Sequence, residues 1–226
     1  MKPIRMLFPV VLAVGVVLSG CTSKTVNQSQ YSGFLSSYDG LAPTRAVSGV
    51  PVMRWVDQGF DLAHYDSLVL QPLNFYPQPK PDARIDQATL DAVLARANQQ
   101  MAAALSKRLP LVTPEQAGPR TLVFRGAITG VAAETQGLRP YEILPIALVL
   151  GGAMAAAGER DQNTELFLEG ELVDNASGKP MLRLVRKGFG KTLSNNRQQV
   201  NAADLAPVID QLTRDALQFQ TAKVAP

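Results

Sequence analysis

Leu18-Ser19-Gly20-Cys21 constrains this chain more than any other stretch, because it decides which part of the sequence has to fold at all. It closes an apolar run, Met6 to Leu18, that follows Lys2 and Arg5. A positive lead, an apolar segment too short to span a bilayer comfortably, and small residues before a cut site are the three parts of an export signal. The cysteine turns this signal into a bacterial lipobox. In that motif the thiol of Cys21 takes a diacylglyceryl group, signal peptidase II cuts after Gly20, and the freed amine is acylated. Small side chains at Ser19 and Gly20 let the chain enter the peptidase extended.

Residues 1–20 are therefore read as a signal peptide that is removed, leaving a mature chain from Cys21 to Pro226. Loss of Lys2 and Arg5 leaves twenty Lys and Arg against nineteen Asp and Glu, and the net charge falls from +3 to +1. The basic pI thus belongs partly to the precursor and argues for no nucleic-acid partner. Cys21 is the one cysteine. Once it is acylated, the mature protein has no thiol and no intrachain disulfide, so its stability has to come from its core. Burying two or three acyl chains at about 0.8 kcal/mol per methylene makes attachment effectively permanent. No cofactor is expected beyond these covalent diacylglyceryl and N-acyl groups. Among lipoproteins of two-membrane bacteria, a residue such as Thr22 rather than Asp after the cysteine favours the outer membrane, here facing the periplasm.

Residues 21–50 read as a lipidated tether carrying an aromatic patch. Thr22 to Gln30 is small, polar and aperiodic, the composition of a flexible lead that lifts a domain off the lipid. Then follows Tyr31-Ser-Gly-Phe-Leu-Ser-Ser-Tyr-Asp-Gly-Leu41, in which aromatics alternate with turn residues. The plain reading of Tyr31, Phe34, Tyr38 and Leu41 is an apolar patch docking the tether on the domain. A sharper reading makes Tyr31, Phe34 and Tyr38 a partner-binding motif. YSGFLSSYDGL shortly after a lipobox resembles the start of a bacterial lipoprotein family, the domain of unknown function 3313 family, and the order of later segments is similar as well. The resemblance implies a lipid-anchored envelope protein and brings no activity with it.

Residues 51–222 read as one globular domain. Val52–Val56 is a short strand, and Leu68-Val69-Leu70, bounded by Asp66 and Pro72, suits a buried one. Asp86 caps a helix running to Leu109 before Pro110, with Leu90, Val93, Leu94, Ala97, Met101 and Leu105 on one stripe. Residues 121–133 form a strand. Residues 164–174 alternate strictly, with Leu166, Leu168 and Leu172 on one face and Glu165, Phe167, Glu169 and Glu171 on the other. Asn175 to Gly178 turns the chain into a partner strand from Pro180 to Lys191. Asp204 caps a last helix, with Pro207 in its first turn. A strand, helix, strand, strand, strand, helix order implies a single α+β domain, with two amphipathic helices on one face of a mainly antiparallel sheet. About 200 residues suffice for one such core.

Residues 143–158, ILPIALVLGGAMAAAG, form an apolar insertion without a charge. As a helix it would be about 24 Å long, short of the roughly 30 Å hydrocarbon core. Ala147, Gly151 and Ala155 make a small-residue face. Burial in the protein's own core is the plainest reading. A surface for another protein or another copy comes next, presenting Leu148, Leu150 and Met154. Dipping into the membrane comes third, and a span last.

Catalytic chemistry finds little support. His64 is the one histidine and no Gly-x-Ser-x-Gly elbow exists, so no catalytic residue is assigned. No metal site is expected either, since one histidine and no mature thiol leave only carboxylates. Gly190-Lys191-Thr192 lacks the first glycine of a phosphate loop. Glu165, Glu169 and Glu171 read as a solvated face, able to meet Arg183, Arg186 and Lys187 across the hairpin. The favoured reading is a non-enzymatic, lipid-anchored envelope protein that binds a protein partner or itself. The alternative is a lipid- or small-ligand-binding periplasmic module, with the apolar insertion lining or lidding its cavity.

Overall fold

The computed structural model describes residues 25–135, 162–194 and 197–219. The lipobox residues Leu18, Ser19, Gly20 and Cys21 lie outside them, as does the insertion 143–158 with Leu148, Leu150 and Met154. Among the described residues, seven strands and two α-helices form one α+β unit: β1 (Ala42–Arg45), β2 (Pro51–Val56), β3 (Ser67–Leu70), β4 (Asn74–Phe75), α1 (Gln87–Leu105), β5 (Thr121–Thr135), β6 (Gln162–Asp174), β7 (Pro180–Leu193) and α2 (Ala202–Gln218). The strands form one sheet in the order β1-β2-β7-β6-β5-β3, with β4 also alongside β5. Only β3 and β4 run parallel to a neighbour, and that neighbour is β5. The expected fold class is the one found.

Local chemistry sets the helix ends. The Asp86 carboxylate accepts from the Thr89 amide at 2.7 Å and opens α1. The helix stops at Leu105 rather than Leu109, yet Leu109 stays buried in the turn that follows. At the other helix the cap is Asn201, not Asp204. Asn201 accepts from the Ala203 amide at 3.0 Å, while Asp204 reaches back to the Asn201 amide at 3.0 Å. That reciprocal pair is a capping box, and it places Pro207 beyond the first turn. Arg108 closes the far end of α2, donating to the carbonyls of Leu217 and Phe219 at 2.9 and 2.6 Å.

Both helices cover one face of the sheet, where Leu166 and Leu168 of β6 and Leu182 of β7 meet Leu205, Val208 and Ile209 of α2. Close approach is possible because β7 carries glycines there. A Cβ on Gly188 would collide with the Val208 side chain, and one on Gly190 with the backbone carbonyl of Asp204. The opposite face of the sheet is also covered. Val26 is 3% exposed and Leu35 6%, packed with Phe167 and Val185. The stretch expected to hang free as a tether is therefore docked from residue 26 onward, because the alternation of β6 and β7 presents apolar groups on both faces. Residues 26–41 form a strap across the sheet.

The tight helix–sheet contact is testable. Gly190→Ala should lower stability by about 3 kcal/mol, because the obstructing atom is backbone and cannot rotate away. Thermal unfolding would then shift by about 6–12 °C. A shift below about 2 °C would mean that α2 is not seated against β7 as described.

Candidate functional site

The strap covers a row of acids that the sequence pattern assigned to solvent. Glu165 is 1% exposed, and Glu169 and Glu171 are 0% exposed. A buried carboxylate is tolerated only when paired and hydrogen-bonded. For Glu169 and Glu171 the strap supplies partners from more than 130 positions away in the sequence. Glu169 accepts from the Ser32 amide at 2.7 Å and from the Tyr38 hydroxyl at 2.5 Å. Glu171 accepts from the Ser36 hydroxyl at 2.8 Å and pairs with Arg125 of β5. Glu165 lies 3.5 Å from the Lys187 ammonium. Arg183 donates to the Ser37 carbonyl at 2.7 Å, and its guanidinium stacks 4.3 Å over the Trp55 ring. Gly40 allows this closure, with φ at +73° and Trp55 where a side chain would project.

Tyr31 and Tyr38 stack at 4.6 Å between ring centroids. Phe34 meets Tyr76 edge-on at 5.6 Å. All three strap aromatics are half-buried against the domain, the arrangement of the docking patch. The Tyr38 phenol is pushed up to about 12, first by burial and then by its bond to Glu169. His64 is exposed in a short turn, Leu62–His64, and Lys191 and Thr192 extend β7.

Of the three cations expected to face the glutamates, Arg183 and Lys187 do so, and Arg186 does not. Arg186 projects from β7 to the helix side. There it is 3% exposed and donates to Asp215 of α2 at 2.7 Å. Asp215 also accepts from the amide and the hydroxyl of Ser48, both at 2.8 Å, tying the β1–β2 turn to α2. Beside this pair lies a cleft of about 110 Å³, walled mainly by leucines of the sheet and both helices. Two sequence signals mark it. Arg186 shares a face with Leu182 and Leu184, and Asp215 falls three residues after Leu212 on the apolar stripe of α2.

Two outcomes follow for the strap. Glu169→Ala leaves the Ser32 amide and the Tyr38 hydroxyl without their acceptor. It should cost about 3 kcal/mol in urea unfolding, with protease cleavage appearing first in residues 26–41. A cost under about 1 kcal/mol would contradict this account. The second outcome concerns pH. The folded value of Tyr38, about 12, lies above the ordinary phenol value of about 10, so its contribution is complete below pH 10 and lost as pH rises through about 12. Tyr65, pushed up to about 12 by burial and Asp174, titrates in the same window. The stability gap between the wild type and Tyr38→Phe should therefore narrow across that window. A gap independent of pH would exclude the Tyr38–Glu169 bond.

The profile of the family described as "Protein of unknown function (DUF3313)" matches residues 30–216, which takes in the strap from Gln30 and nearly all of α2. The chain is 45% identical over 208 residues to the uncharacterized lipoprotein YdcL of Escherichia coli, in strain K12 and in O157:H7, covering 92% of this chain and 93% of that one. Among solved structures, the PelC dodecamer from Paraburkholderia phytofirmans aligns over 74% of this chain and 98% of its own, with 13% identity and a TM-score of 0.38. A minor lipoprotein from Acinetobacter baumannii aligns over 70% and 98%, with 13% identity and a TM-score of 0.32. With most of its strap, the whole sheet, α1 and nearly all of α2 inside the matched span, this chain belongs to the DUF3313 family.

Proposed function

We propose that this protein is a non-enzymatic envelope component, lipid-anchored through Cys21 in the outer membrane and facing the periplasm, which works by binding a protein partner or a second copy of itself. One observation carries the reading. Val26 is 3% exposed on the sheet, and it stands only five positions after Cys21. At about 3.6 Å per residue the chain reaches no more than about 18 Å. An acylated Cys21 therefore holds the whole domain against the bilayer, where a partner meets it at a fixed height. Thr22 supports the outer-membrane assignment, and kinship with a lipoprotein supports the anchor. A second reading, a lipid- or small-ligand-binding module, is favoured by the leucine-walled cleft beside Arg186 and Asp215.

Photocrosslinking in cells from Leu148, Leu150 and Met154 tests the first reading and should give a discrete protein adduct. Crosslinks confined to the chain itself would place those residues in the core and remove them as a binding surface. Lipid adducts would favour membrane contact. Inserting about 20 Gly and Ser residues between Cys21 and Thr25 lets the domain drift about 25 Å from the surface. That insertion should leave thermal unfolding unchanged and cut the adduct yield severalfold. An undiminished yield would show that distance from the membrane is not what the short lead provides.

A further inference from the structure

The cleft beside α2 has a chemistry of its own. Its walls include Leu105 of α1, Leu168 of β6, Leu184 of β7 and Leu212 of α2. Its charged lining residues are Arg54, Arg186 and Asp215, a net positive set. Arg186 spends one guanidinium nitrogen, Nη1, on Asp215. Its Nε and Nη2 are fully buried and have no hydrogen-bond partner among the described residues. Buried polar groups are nearly always satisfied, and for a guanidinium the demand is strongest. Nε and Nη2 also share one edge of the planar group, the edge that receives both oxygens of a carboxylate. Asp215 does not bond that edge: its Oδ2 accepts from Nη1 and the Ser48 hydroxyl, and its Oδ1 from the Ser48 amide. Val47, 58% exposed, and the half-buried Phe219 also line the cleft, and Arg54 lies 5.4 Å over the Phe219 ring. A cavity of about 150 Å³ holds benzene, so this cleft takes a run of about four methylenes, with any longer chain leaving through the open side.

We infer that this cleft binds a single-chain carboxylate amphiphile of the fatty-acid type, with its carboxylate on the Nε/Nη2 edge of Arg186 and its first methylenes against Leu168, Leu184 and Leu212. The inference deepens the small-ligand reading above and rests on it. Binding completes the hydrogen bonding of Arg186 and leaves the Asp215–Ser48 contacts in place. The domain sits within reach of the membrane that supplies such molecules.

The test uses the full lipidated chain in phosphatidylcholine vesicles and two probes, decanoate and decanol, each carrying a diazirine at its fourth carbon. Decanoate should label peptides of β6, β7 and α2 saturably, at least about tenfold more than decanol, and unlabelled decanoate should compete. Arg186→Met should abolish the preference. Because that variant strands Asp215 and risks unfolding, Ala216→Phe serves beside it. It fills the cleft, leaves Arg186 and Asp215 untouched, and should reduce labelling about tenfold with unfolding unchanged. Equal labelling by decanol at the same peptides would overturn the carboxylate site while keeping a small-ligand cleft. Labelling nowhere on those peptides would overturn both.

Discussion

Everything in this protein depends on a sheet that is buried on both faces. One face is closed by α1 and α2 in the ordinary way of an α+β domain. The other is closed by residues 26–41, which are not a regular element at all. They seal it with Val26, Leu35 and three aromatic rings, and they satisfy two glutamates that the sheet itself leaves short of donors. Without the strap, Glu169, Glu171, Phe167 and Val185 would face water. The strap therefore belongs to the fold as firmly as a helix does.

The two faces handle charge differently. On the strap side the strap adds uncharged donors, the Ser32 amide and the Ser36 and Tyr38 hydroxyls, to buried carboxylates of which Glu171 and Glu165 also have a cation beside them, Arg125 and Lys187. On the helix side a full ion pair is buried, and Asp215 collects three donors while Arg186 keeps an edge in reserve. Removing one member of such a pair is far costlier than never having built it. Arg186 and Asp215 thus sit where a hydrophobic pair would have served packing equally well, and that contrast gives the cleft its chemical identity.

Much of this architecture was legible from residues alone, and the failures share a cause. The alternation along 164–174 correctly sorted Leu166, Leu168 and Leu172 from Glu165, Glu169 and Glu171, since strand geometry fixes which side chains share a face. What alternation cannot give is what covers each face. The charge of Glu169 points to water, whereas its donors lie at Ser32 and Tyr38, 137 and 131 positions earlier. β1 escaped notice because Ala42–Arg45 is short and mostly exposed, with a proline that only an edge strand accepts. The cap of α2 was misplaced by three residues because Asp204 is itself half of the capping box that Asn201 begins. The Arg186 site was readable in principle, as a charge on a face of leucines. Its pairing with Asp215 was not, because sequence spacing does not say which helix face meets which strand.

The strap also has a consequence in time. It is made well before the strands it docks on, β6 and β7, which come more than a hundred residues later. Contacts of such long sequence separation form late, because the intervening loop must be closed before they reward it. Until then residues 26–41 lack the surface they pack on. Once Val26 and Leu35 are drawn onto the finished sheet, its second face closes. Chain topology alone thus puts closure of this face after the pairing of β6 with β7.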